Sequence, residues 1–276
     1  MIYVLTIAGS DSCGGAGIQA DIKTIHRLGA HALTAVTAVT AQSSVGVTDI
    51  YPVPASFLSK QVDVLVTDVF PQAVKLGMLC SVDAVREVVR LITRHGLLNV
   101  VMDPVIRAST GQRLLEGEEA LTSLREELLP LVRVVTPNLD EASILTGRKV
   151  RTLEEAIAAA RDLHAAGPDV VVTGGHLPEQ CTDVLCDDSG LVAFEGDRLD
   201  TPCSHGTGCV FSSALATFVA QGHSVRDAVG RARAVVRKAL REGYPCGKGR
   251  GVVNPLGGMD PDVHEPGAGS KNTGRA

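Results

Sequence analysis

Thr201-Pro-Cys-Ser-His-Gly-Thr-Gly-Cys209, running directly into the apolar segment Val210–Ala220, is the stretch on which the reading of this chain turns. Pro202 and the small residues after it do not continue a strand. Gly206 and Gly208 let the backbone bend and bring its N–H groups close to a ligand. Phe211, Leu215 and Phe218 then recur at helical spacing. A glycine turn that opens a helix directs unpaired N–H groups and the positive end of the helix dipole at one point, which makes an anion site. Thr207 lies inside that turn and Cys209 at its end. A thiol so placed is expected to have a lowered pKa, making a thiolate base available near neutral pH. The same stretch also reads as a turn capping a buried helix, with Cys209 a small core residue. The rest of the chain has to separate the two.

Outward from that stretch, strand and helix patterns alternate. Ile2–Ala8 is a continuous apolar run, as in a buried parallel strand. Gly9-Ser-Asp-Ser-Cys-Gly-Gly-Ala-Gly17 follows, then the helical pattern Ile18, Ile22, Ile25. This is strand, glycine turn and helix, but Gly14, Gly15 and Gly17 do not make the dinucleotide fingerprint Gly-x-Gly-x-x-Gly. Asp11 and Asp21 are acceptors for hydroxyl or amino groups, or else an ordinary turn residue and an exposed helix charge. Cys13 reads as tolerated variation within the turn. His31–Ala41 is a second strand ending at Gln42, whose amide offers a donor and an acceptor together, matching the edge of an aminopyrimidine. A short strand near Val47–Val53 and a helix from Pro54 to about Val66 come next.

Ala73–Gly77 is another short strand with Met78 at its exit, and Asp83–His95 an amphipathic helix. Asn99–Met102 is a buried strand that ends in Asp103-Pro104, a carboxylate where α/β enzymes place catalytic groups. A loop at Thr110-Gly111, a helix over Glu116–Leu129 and a strand over Val132–Thr136 follow. Asn138 and Glu141 have the spacing of a capping box, which the spacing favours; alternatively Glu141 and Asp140 serve a Mg²⁺–phosphate site through water. Thr152–Ala166 is an Ala-rich helix, and Asp169–Thr173 a strand running into Gly174-Gly-His176. Hairpin strands Thr182–Cys186 and Leu191–Glu195, the opening stretch, and a helix from Ser224 to about Arg241 complete the pattern. It predicts one α/β domain over residues 1–257, a doubly wound, mostly parallel sheet flanked by helices, with 258–276 a disordered tail. In such a sheet all the strand exits lie along one edge.

Composition bounds the function. At 276 residues, 45% hydrophobic and 21% charged, the chain suits a soluble domain with a sizeable core. Aromatics at 3% and a net charge of -5 argue against a nucleic-acid platform. Seven cysteines with no Cys-x-x-Cys pair read as reduced cytoplasmic thiols. The N-terminus reads as a first strand rather than a signal peptide, and no run is long enough to span a membrane.

Taken together, the motifs resemble the hydroxymethylpyrimidine kinase / phosphomethylpyrimidine kinase family of thiamine biosynthesis, a branch of the ribokinase-like kinases. The resemblance rests on Ala8-Gly-Ser-Asp-Ser-Cys-Gly-Gly-Ala-Gly-Ile-Gln-Ala-Asp21, Thr37-Ala-Val-Thr-Ala-Gln42, Lys75-Leu-Gly-Met-Leu79, Asp103-Pro-Val105, Thr136-Pro-Asn138 with Glu141, Gly174-Gly-His-Leu177 and His205-Gly-Thr-Gly-Cys209, in that order. It covers about residues 2 to 257. It implies phosphoryl transfer from ATP with Mg²⁺ to a primary alcohol and then to the resulting phosphate monoester, with K⁺ use left open, and a homodimer. Carried over by residue, Gln42 reads the pyrimidine, and Gly9, Asp21 and Met78 line the same pocket. Cys209 is the base, Gly206, Thr207 and Gly208 the anion hole, and Asn138 with Glu141 the metal–phosphate group, with Asp103 beside it. Thr173 stands where many relatives have a lysine near the nucleotide phosphates, so phosphate binding is expected to rest more on the helix dipole and the metal. The rival readings are a pyridoxal kinase of the same branch, disfavoured by the paired donor and acceptor of Gln42, and a pyrimidine-binding sensor without turnover.

Overall fold

A nine-stranded sheet in the order β3-β2-β1-β4-β5-β6-β7-β8-β9 carries the chain. The structure, a computed structural model, describes residues 1–108, 111–175, 177 and 181–257. The expected tail at 258–276, Thr110 and His176 lie outside the described residues. β1 (Tyr3–Ser10), β2 (His31–Ser43), β4 (Ala73–Leu76), β5 (Val100–Met102), β6 (Val134–Val135) and β7 (Asp169–Val172) run parallel. β3 (Gly46–Pro52) is antiparallel to β2, and β8 (Asp183–Asp187) and β9 (Gly190–Phe194) add an antiparallel edge. The chain winds first to one side of β1 and then returns to pair β4 on the other. The order therefore reverses between β1 and β4, where an open α/β sheet leaves a crevice at its carboxyl edge. The doubly wound, mostly parallel architecture is the one the alternating pattern predicts.

The pleat sorts the side chains onto two faces. Leu5, Ile7, Val74, Leu76, Val100 and Met102 face one core, packed by α2 (Ala55–Asp68), α3 (Val82–His95), α4 (Glu118–Ser123), α5 (Leu139–Thr146) and α6 (Leu153–His164). Val4, Ala73, Val101, Val134 and Val171 face the other, against α1 (Gly17–Arg27), α7 (Thr207–Ala220) and α8 (Val225–Arg241). The cores are aliphatic, as a chain without Trp requires. No helix among the described residues is long and apolar enough to cross a membrane.

Three local expectations need correction. The segment expected as one helix over Glu116–Leu129 is α4 followed by a wide turn at Leu124–Leu128 and a tight one at Leu129–Leu131, which carries Pro130. Cys203–His205, expected not to continue a strand, forms β10 and pairs in parallel with β11 (Gly251–Val252). The pairing works because Gly251 has no side chain to strike Cys203. The third is Asp21. It is buried on the α1–α7 side of the sheet with both carboxylate oxygens in use. Thr6 Oγ1 donates to it at 2.6 Å, Lys75 Nζ at 2.9 Å and Ser213 Oγ at 2.7 Å. Asp21 therefore clamps β1, β4 and α7 to α1 and does not line the cavity at the carboxyl edge of the sheet.

Lys75 is the largest side chain buried without exposure. Burial by itself would push its ammonium down, but Asp21, with Cys209 and Asp103 nearby, outweighs burial and holds it above the usual lysine range. Removing one partner leaves an uncompensated charge in the interior, which costs far more than the pair contributes net. Lys75→Met is expected to destabilise the fold by about 3–5 kcal/mol in urea unfolding, and Lys75→Met with Asp21→Asn to recover part of that loss. Additive losses in the double variant would show that the two groups do not act as a pair.

Candidate functional site

The carboxyl ends of β1, β4, β5, β6 and β7 open into a cavity of about 660 Å³. Gly9, Gln42, Met78, Asp103, Asn138, Glu141, Thr173, Gly206, Thr207, Gly208 and Cys209 all line it. These are the sequence-predicted site residues apart from Asp21. They fall into an apolar slot, an anion turn and a carboxylate corner.

The slot lies at the β1–β4 reversal. Met78, at the exit of β4, lies over Gly9, where a Cβ would approach its Cε to 2.7 Å. Thr37 Oγ1 donates to the Met78 carbonyl at 2.5 Å and fixes that exit. Gln42, near the end of β2, is held by its backbone: its N–H donates to Ser12 Oγ and its carbonyl accepts from the same hydroxyl, both at 2.9 Å. Its amide lies 3.4 Å from His205 Nε2, which in turn is 3.0 Å from Asp11 Oδ2. Asp11 also accepts from the N–H groups of Cys13, Gly15 and Ala16 at 2.8 to 3.1 Å. Burial opposes ionisation of Asp11, but His205 and these N–H groups hold its carboxyl below the usual range. Taken singly, Asp11 reads as a turn residue; its pairing with His205 spans 194 residues and only the fold reveals it.

The anion turn is Gly206–Cys209 at the start of α7. Gly206 is the N-cap in the left-handed region, φ 93°. Val210 is the first residue to donate into the helix, to the Gly206 carbonyl at 3.0 Å. The N–H groups of the first turn have no intrahelical partners and point with the positive end of the dipole into the cavity.

Cys209 faces the cavity, but its ionisation departs from the sequence expectation. Burial pushes its thiol up to about 12, and the carboxylates of Asp21 and Asp103 add to that. Lys75 and a hydrogen bond from the Gly17 N–H pull the other way without matching them. A helix N-terminus lowers a thiol only when desolvation does not outweigh it. In the free protein Cys209 is therefore a neutral thiol.

The carboxylate corner joins the exits of β5 and β6. Asp103 accepts from Ser212 Oγ at 3.2 Å and faces Gly208, where a Cβ would lie 3.5 Å from Oδ2. Burial, opposed by Lys75 and reinforced by Asp21, pushes its carboxyl up to about 6. Glu141 is held well above its ordinary value by burial and by Asp103. Both sequence readings of Asn138–Glu141 meet here. The capping box forms, with Glu141 Oε2 accepting from the Asn138 N–H at 2.9 Å and Asn138 Oδ1 from the Glu141 N–H at 3.0 Å. The capped glutamate also faces the cavity.

At the far end the walls carry Arg198, Arg233 and Arg237 around Thr173. Arg233 pairs with Asp183 at 2.8 Å, and Arg237 donates to the Asp197 carbonyl at 2.7 Å. Arg233 and Arg237 escape a sequence reading because on an amphipathic helix such as α8 they look like a solvent face.

This geometry sits in a chain whose residues 11–254 match the phosphomethylpyrimidine kinase family. The hydroxymethylpyrimidine/phosphomethylpyrimidine kinase of Mycobacterium leprae is 45% identical over 265 residues, covering 92% of this chain and 94% of that one. The thiamine biosynthesis bifunctional protein ThiED of Geobacter sulfurreducens is 42% identical over 92% of this chain, which spans 52% of that longer protein. Among solved structures, the ADP complex of Bacillus subtilis pyridoxal kinase superposes with a TM-score of 0.85 at 36% identity, covering 92% of this chain and 97% of that one. The chain is thus a kinase and belongs to the phosphomethylpyrimidine kinase family.

Proposed function

We propose that this cavity phosphorylates 4-amino-5-hydroxymethyl-2-methylpyrimidine twice with ATP, first on the alcohol and then on the monophosphate, in thiamine biosynthesis. The observation that carries the reading is the convergence, in one cavity, of a glutamine-edged apolar slot with a helix-start anion turn. The apolar slot that Met78 and Gly9 line takes a flat ring, and the Gln42 amide, steadied by His205, matches a ring nitrogen beside an exocyclic amine. The reacting carbon then points toward Cys209. The first-turn N–H groups of α7 are aimed where charge develops on the transferred phosphoryl. The ATP complexes with the end of the cavity at Thr173, where Arg198 and Arg237 supply cationic charge in place of a lysine. A homodimer is the proposed assembly, since Val39, Tyr51 and Phe57 leave apolar surface exposed along β2, β3 and the start of α2. The seven free thiols favour a cytoplasmic location.

Mg²⁺ fits the carboxylate corner. Asp103 and Glu141 are both buried, and Asp103 helps to hold the Glu141 carboxyl up, an arrangement that a divalent cation relieves. No group of three or more His, Cys, Asp or Glu among the described residues forms a complete cage, so the ion would be shared with nucleotide phosphates. When bound it would neutralise phosphate charge there.

Cys209 has one task that Asp103 and Glu141 do not share: removing the proton of the alcohol in the first transfer. The second acceptor is a phosphate oxygen, already anionic, and needs no base. Cys209→Ala is expected to lower kcat of the first transfer by about 10²–10⁴-fold while leaving the second within severalfold. Equal losses in both steps would make the sulfur structural only.

The carboxylate corner also predicts a pH signature. A carboxyl like Asp103 ionises near 3.8 in the unfolded chain and at about 6 in the folded one. Between those values the folded protein keeps a proton that the unfolded chain has lost, so stability falls as pH rises through the window and the penalty is complete above it. Asp103→Asn is expected to gain up to about 3 kcal/mol at pH 7.5, to show no such gain at pH 4, and to lose kinase activity. Chemical denaturation at the two pH values checks it; an equal shift at both would remove the electrostatic cause.

A further inference from the structure

The glycine turn after β1 meets the segment leading into β11 at a pair of thiols that phosphoryl transfer does not use. Cys13 Sγ and Cys246 Sγ lie 3.7 Å apart although 233 residues separate them in the chain. Both are partly exposed, both are reduced, and neither lines the cavity. Their backbones are held from several sides. The Cys13 N–H donates to Asp11 Oδ1 at 2.8 Å, the Gly14 N–H donates to the Asp11 carbonyl at 2.9 Å, and Lys23 Nζ donates to the Gly14 carbonyl at 2.8 Å. On the other side Tyr244 and Val252 exchange N–H bonds at 3.0 and 3.1 Å, and the Gly249 N–H donates to Ser44 Oγ at 3.1 Å. The two sulfurs are thus presented to each other by ordered backbone.

We propose that Cys13 and Cys246 form a site of reversible oxidation that closes to an intramolecular disulfide when the protein meets a small-molecule disulfide. From 3.7 Å the sulfurs need approach by only about 1.7 Å to reach bonding distance, within the reach of two side-chain rotations and a small shift of the turn. Burial and the neighbouring Cys246 push the Cys13 thiol up to about 11, so Cys13 is suited to resolve the reaction rather than to open it. The Cys246 thiolate attacks one sulfur of the small disulfide. That S–S bond breaks, and one small thiol leaves with the proton Cys246 gave up. Cys13 then loses its proton and attacks Cys246 Sγ, and the second small thiol departs carrying that proton. Two protein thiols are oxidised and one small disulfide is reduced to two thiols.

The bond ties together two walls of the site. Cys13 is next to Ser12, whose hydroxyl holds the Gln42 backbone from both sides. Cys246 belongs to the segment whose strand β11 pairs β10, which carries His205. The tie therefore acts on the pyrimidine end of the cavity and leaves the Thr173 end untouched. Because it closes most of the chain into one loop, it also constrains the unfolded state.

The test uses the full chain incubated with oxidised glutathione, followed by peptide mapping under non-reducing conditions and thermal melting. The expected result is a peptide pair linked through Cys13 and Cys246, the loss of two titratable thiols, and a raised Tm that dithiothreitol reverses. Cys13→Ser, which removes the resolving thiol, is expected to stop at a glutathione adduct on Cys246 with Tm unchanged. A wild-type protein that retains the adduct on Cys246 without forming the link, or whose two thiols both stay free, would overturn the proposal. Neither outcome bears on the kinase reading, since neither sulfur lines the cavity.

Discussion

The site depends on a contact made possible by missing side chains: the turn Asp11–Gly17 and the turn Ser204–Gly208 press backbone against backbone. A Cβ at Gly206 would collide with the Gly15 carbonyl, and one at Gly15 with His205 and Val252. Gly17, in the left-handed region at φ 57°, leaves no room against the Gly9 carbonyl. These close approaches bring the N-termini of α1 and α7 to one corner of the sheet. From there the Gly17 N–H reaches the Cys209 sulfur, and Asp11 meets His205. Any side chain at those positions would part the turns and disperse the anion site.

Beneath that corner the electrostatics run against stability. Lys75 is a fully buried cation close to Cys209 and Asp103, and Asp21 already uses it. Asp103 and Glu141 are therefore left crowded, and the thiol is held neutral. A fold selected only for stability would have no reason to gather them. A kinase has one, because a divalent cation bound there would turn the crowding of the Asp103 and Glu141 carboxylates into attraction. On the proposed reading, the thiol that is neutral in the free protein ionises only when a bound cation adds its charge to that of Lys75 and the α7 N-terminus.

Much of this was legible in the chain, for identifiable reasons. Short apolar runs ending in glycine or a lone carboxylate can only be strand exits in an alternating α/β pattern, and all such exits share an edge. That is why Gly9, Met78, Asp103, Asn138 and Thr173 converge as read. Asn138 and Glu141 form their capping box because three residues is the spacing the box needs. Sequence alone does not place Asp21, because a helix carboxylate gives no local sign of which face it occupies; its partners Thr6, Lys75 and Ser213 come from three other elements. Sequence alone does not give the Cys209 ionisation, because the dipole is a local property of sequence, whereas desolvation depends on what packs around the thiol. The Asp11–His205 pair and the arginines around Thr173 likewise arise only from long-range folding.

The central claim is that one anion turn serves two successive acceptors. The most direct measurement follows ³¹P NMR of the protein with hydroxymethylpyrimidine, ATP and Mg²⁺. The account predicts that the pyrimidine monophosphate rises and then gives way to the diphosphate as ADP accumulates, with added monophosphate competing against the alcohol for the same site. Phosphorylation of pyridoxal with the pyrimidine left untouched would contradict it.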